Sequence, residues 1–111
     1  MAMQVKRENV GEAVVVTVQG SVDIYSSPEL RAELKGPLGK KVSRLVVDLG
    51  GVTFVDSSGL ATLIEALQKV KAYQGRMTLC NLSKTVLGVF QLANLDHIFQ
   101  IKATREEALE A

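Results

Sequence analysis

Arg44-Leu45-Val46-Val47-Asp48-Leu49 leads through Gly50-Gly51-Val52-Thr53 into Phe54-Val55-Asp56-Ser57-Ser58-Gly59-Leu60. Residues 44–49 are almost continuously apolar, the pattern of a parallel strand covered on both faces. Beyond the glycines the pattern changes to a helix over about Ser58 to Tyr73. Leu60, Leu63, Ile64, Leu67 and Val70 fall at i, i+3, i+4, i+7 and i+10, a single helical stripe. Glu65 and Lys69 lie off that stripe as an i,i+4 pair. The junction sets a carboxylate and two hydroxyls at a helix N-terminus. Backbone N–H groups there have no intrahelical partner, and the helix dipole favours negative charge. Asp56 and the serines can therefore serve as a plain N-cap, or the site can hold a phosphate, brought by a ligand or attached to a serine.

On the N-terminal side, Gln4–Glu8 reads as an edge strand and Asn9-Val10-Gly11-Glu12 as a hairpin turn. Ala13–Gln19 is a strand with Val14, Val16 and Val18 on one face. Ser26-Ser27-Pro28-Glu29 starts a helix, with Ser27 as cap and Pro28 in the first turn. Leu30, Leu34 and Leu38 line its face, and Gly36-Pro37 limits it to about three turns. On the C-terminal side, Gly75 ends the central helix, and Met77, Leu79 and Cys80 belong to a strand. Ser83 caps a helix with Val86, Val89, Phe90 and Ala93 inward, and His97–Ile101 forms a short last strand. Thr104-Arg105-Glu106-Glu107 is a capping box for a terminal helix. The order ββαβαβαβα implies an α/β fold with parallel pairing and an antiparallel first strand, hence a mixed sheet.

The 111 residues make a single domain, 1–111, with its core at about 4–108. A net charge of +1 argues against direct nucleic-acid binding. With one cysteine, Cys80, no internal disulfide forms, and a buried apolar role is expected for it. No apolar run is long enough to span a membrane and no secretory signal is evident, which points to the cytoplasm.

Enzyme chemistry finds little support. The lone histidine, His97, has Asp96 beside it but no Gly-x-Ser-x-Gly elbow to serve, and no nucleotide loop or Cys/His cluster occurs. Asp23, Asp48 and Asp56 fall near strand ends, where acids of receiver domains bind Mg²⁺. The early strand ends Val18-Gln19-Gly20, without the paired acids of such domains, so no metal and no cofactor is expected.

Asp56-Ser57-Ser58-Gly59-Leu60, between an apolar strand and an apolar-faced helix, resembles the phosphorylation motif of the STAS family, which includes the bacterial anti-sigma-factor antagonists. Gly20-Ser21-Val22-Asp23 resembles the family's Gly-x-x-Asp. Asp48-Leu49 with Val52-x-Phe54-Val55, Gly75-Arg76-Met77 and Leu92-x-x-Leu95-x-x-Ile98-Phe99 extend the likeness from about Gln4 to Ala108. Ser21 and Ala61 stand where an acid and a second glycine are common.

The resemblance implies a single STAS-type domain, a small mixed β-sheet with helices mostly on one face. It implies a non-enzymatic antagonist in a partner-switching module. Its partners would be an anti-sigma factor with serine kinase activity and a PP2C-type phosphatase. Ser57 would be the phosphorylation site. Asp23, the loop Ile24-Tyr25-Ser26-Ser27, Asp56 and the helix start Ser58-Gly59-Leu60 would form the partner-binding surface, with Gly59 letting a partner's backbone or nucleotide come close. A phosphate adds about −1.5 to −2 charges. The helix end favours it by up to roughly 1–2 kcal/mol. A carboxylate about 6 Å away opposes it by on the order of 3 kcal/mol before salt screening. The offset leaves the fold little changed and moves the effect to the interface. Two other readings stay open: a constitutive docking subunit of a lipid-transport or stress-signalling assembly, and a small-ligand module using the same helix end.

Overall fold

The computed structural model describes residues 3–111. Its elements are β1 Gln4–Val10, β2 Ala13–Val22, α1 Ser27–Gly39, β3 Arg44–Val55, α2 Ser57–Ala72, β4 Arg76–Cys80, α3 Lys84–Leu92, β5 Gln100–Lys102 and α4 Arg105–Glu110. The expected order is thus the observed one. The five strands form one sheet in the order β1-β2-β3-β4-β5. β1 runs antiparallel to β2 through a hairpin whose Gly11 takes a φ of 60°, and every later pair is parallel. Each crossover steps to the next strand in the same direction. Crossovers of one hand then put α1, α2 and α3 on the same face of the sheet.

That face carries the main core. Val16 and Val18 of β2 and Leu45, Val47 and Leu49 of β3 meet Leu30, Leu34, Leu63, Val70 and Phe90 of the helices. Phe90 closes edge-on against Phe99, with ring centroids 5.6 Å apart. The reverse face buries Val15, Val46 and Cys80 under Ala108 of α4. Helices therefore lie mostly, not wholly, on one face. Glu65 accepts from Lys69 as the spacing suggests (3.2 Å) and also from Arg31 of α1 (2.9 Å), tying the two helices at the surface.

Several local expectations are corrected. β3 does not stop at Leu49 but continues across Gly50-Gly51 to Val55. β2 continues with it to Val22, through register shifts between Thr17 and Gln19 and between Gly20 and Ser21. A Cβ on Gly51 would lie 2.6 Å from Gln19 Cγ, so this glycine serves close strand packing and does not end the strand. The N-cap position of α1 is Ser26, not Ser27, and its hydroxyl makes no capping bond; Ser27 is buried as the first helical residue. Nor does Gly36-Pro37 stop it. Pro37 falls in the last turn, where its missing N–H forgoes one i→i−4 bond, to the Glu33 carbonyl, close to the helix end, and it packs inward. Ala93 is exposed, since α3 has already ended. His97 stands in a turn, and the last strand begins only at Gln100.

Helices α1, α2 and α3 end alike, with Lys41, Gln74 and Asn94 in the left-handed region at φ 54°, 63° and 58°. The next N–H then reaches back into the helix: Val42 to the Pro37 carbonyl, Gly75 to Val70 and Leu95 to Phe90, at 3.2, 2.9 and 2.8 Å. Gly75 therefore follows the left-handed residue. A Cβ there would meet the Tyr73 ring at 2.7 Å.

Candidate functional site

The site forms where β2 and β3 end side by side. Ser21 pairs with Phe54 and Val22 with Val55, and the Asp56 N–H donates to the Val22 carbonyl at 3.1 Å. The chain leaves β2 through a turn organised by Asp23. Its Oδ1 accepts from the N–H groups of Tyr25 (3.0 Å) and Ser26 (3.1 Å). Ser26 Oγ accepts from the Asp23 N–H at 2.9 Å and donates to the Ser21 carbonyl at 2.8 Å. With its polar groups satisfied within the loop, the turn holds Ile24 and Tyr25 outward, 65% and 91% exposed.

Asp56 joins this loop to α2. Oδ1 accepts from the Ser58 hydroxyl (2.6 Å) and from the N–H groups of Ser58 (2.9 Å) and Gly59 (3.1 Å). Oδ2 accepts from the Ile24 N–H at 3.1 Å. The Ser58 hydroxyl above all holds this carboxyl below the usual carboxylate range; burial opposes it, and the N–H donors of Gly59, Ser58 and Ile24 each lower it by a smaller amount. The side chain is thus an anion at neutral pH, already seated on the helix N-terminus.

Ser57 is the first residue of α2 and is exposed; its hydroxyl makes no hydrogen bond among the described residues. Ser58 is half-buried and engaged with Asp56. Gly59 and Leu60 face inward. The close approach expected at Gly59 is to the chain's own Val22. A Cβ would lie 2.7 Å from the Val22 carbonyl and 2.8 Å from its Cγ1. Of the remaining expected contact residues, Asp23 and Ser26 are half-buried in the turn, and Ser27 is buried. The sequence marks Phe54 only as part of the motif, yet it is 52% exposed, on the strand end paired with Ser21 just before the loop. Its place between buried Val52 and Val55 breaks simple alternation, a result of the bulged register that one strand's pattern does not disclose.

The three acids do not converge. Asp23 and Asp56 both organise the Ile24 turn, whereas Asp48 points to the reverse face. There it accepts from the Gly50 N–H (2.9 Å) and Asn81 Nδ2 (3.1 Å) and faces Arg105 at 3.6 Å.

Residues 3–108 match the STAS domain family. The chain belongs to the STAS family. Among curated STAS relatives, an anti-sigma-B factor antagonist of Bacillus subtilis is 32% identical over 97 residues, covering 87% of this chain and 88% of the relative. A crystal structure of an anti-sigma factor antagonist from Mycobacterium paratuberculosis superposes with a TM-score of 0.91 at 25% identity, covering 98% of this chain and 92% of that one. SpoIIAA, an anti-sigma factor antagonist whose structure is known in unphosphorylated form, gives 0.73 at 27% identity, over 98% of this chain and 96% of its own. The same Bacillus protein is known in a phosphorylated form.

Proposed function

We propose that this STAS domain is an anti-sigma-factor antagonist whose binding is switched by phosphorylation of Ser57. Unmodified, it binds an anti-sigma factor that is also a serine kinase and thereby frees the sigma factor. Modified, it lets go, and a PP2C-type phosphatase restores it. We place the exchange in the cytoplasm, where ATP and sigma factors meet. The observation that carries this reading is a free, exposed serine hydroxyl beside an ionised Asp56 and an apolar rim of Ile24, Tyr25 and Phe54. The relatives' names and the two forms of SpoIIAA support it.

The cap geometry revises the electrostatics. Asp56 already accepts from the N–H groups of Ser58 and Gly59. A phosphate on Ser57 gains little from them and meets a carboxylate instead, so it extends toward the solvent and the partner. The same occupancy weighs against a free phosphate ligand at this helix end. Ile24 and Tyr25 supply apolar contact, and the buried Ser27, Gly59 and Leu60 shape the surface from within.

Incubation with host-cell extract and Mg-ATP, followed by phosphopeptide mapping, tests the acceptor. Phosphate on Ser57, absent from Ser57→Ala, is expected. A bare Ser57 in an extract that phosphorylates other proteins across several stress conditions would instead favour a constitutive docking subunit.

A further inference from the structure

At the other end of β3 from Ser57 lies a cleft of about 650 Å³. Its floor is one row of the sheet. Ala13, Arg44 and Arg76 are paired across β2, β3 and β4 in direct register. All three stand on the reverse face, in alternation with the inward Leu45 and Met77. Ala13 is small and leaves the space open. The β1–β2 hairpin forms one rim and Leu109 of α4 another.

Like charges in directly opposed cross-strand positions repel. Here the repulsion is only partly relieved. Arg44 donates to the Leu109 carbonyl at the end of α4. Arg76 is exposed and makes no side-chain hydrogen bond or ion pair among the described residues. Among the described residues Glu12 is the only acid lining the cleft, and Ser43 and Gln74 add neutral donors to the lining. Two planar forks facing one space match the oxygens of phosphate or carboxylate groups.

We infer that this cleft binds a compact anion with two or more acidic groups, a phosphate or carboxylate compound, through Arg44 and Arg76. It is a separate site from Ser57, and its occupancy does not depend on phosphorylation.

The test is a low-salt titration of isotope-labelled protein with pyrophosphate and, separately, with citrate, followed by backbone amide shifts. Saturable shifts at Gly11, Ser43, Arg76 and Leu109 are expected, with Ser57–Leu60 unmoved. Arg76→Ala should weaken the better anion about tenfold, the loss of one charge-assisted contact. Arg76→Lys should restore only part of it. Arg76 is chosen because Arg44 anchors α4. Preference for pyrophosphate assigns the site to phosphate compounds, and preference for citrate to carboxylates. Shifts that never saturate, that survive Arg76→Ala, or that centre on the start of α2 would overturn the inference.

Discussion

Asp56 is the residue on which the site turns. One carboxylate caps α2 and, through its second oxygen, holds the Ile24 turn against it. Its removal should cost about 1 kcal/mol in urea unfolding at pH 7, the usual worth of an N-cap. Because its folded pKa is depressed, its contribution is complete above the unfolded value of about 4. The contribution disappears as pH falls through the lower folded value. The stability gap between wild type and Asp56→Ala should therefore close in acid; a gap constant from pH 7 to pH 2 would contradict this account of the cap. At this scale the sequence was informative where chemistry is local. Asp56 and Ser57 are legible from their place before a helical stripe. The inward packing of Gly59 is not, because the atom it must avoid belongs to Val22, on another strand.

Element by element, strand and helix types follow from periodicity and caps, and their ends do not. A glycine pair reads as a stop, yet β3 passes through Gly50-Gly51 because β2 bulges beside it and keeps the ladder. Helix ends depend on a left-handed residue, and three non-glycines hold that position. Lys41→Gly should thus raise stability by on the order of 1 kcal/mol in thermal or urea unfolding, by relieving the left-handed strain. A loss of stability would show that the Lys41 side chain contributes more than its backbone costs. Helix α4 offers another test. Arg105 bonds Glu8 and Thr17, both at 3.1 Å, and pins α4 over Cys80. Burial, reinforced by Asp48, pushes the Cys80 thiol up to about 11, so it should resist thiol reagents at pH 8 in the native protein. Arg105→Ala should speed its labelling several-fold. An unchanged rate would mean that labelling waits for opening elsewhere.

For the whole molecule, sequential strand order decides what the surface offers. With α1, α2 and α3 on one face, the ends of β2 and β3 are left free to carry the Ile24–Tyr25 turn, Phe54 and Ser57 together. Assembly of that rim was legible only in part, since Phe54 joins it through pairing with Ser21 across the sheet. On the proposed switch, the fold needs no remodelling. A charge placed at the edge of an apolar contact is enough, because a loss of about 3 kcal/mol weakens binding more than a hundredfold. The most direct measurement is the affinity of the cognate anti-sigma factor for wild type, Ser57→Ala, Ser57→Glu and the Ser57-phosphorylated protein. The account predicts near-equal tight binding for the first two, weakened binding for Ser57→Glu, and a loss of about a hundredfold or more for the phosphorylated form. Equal affinity for all four would contradict it.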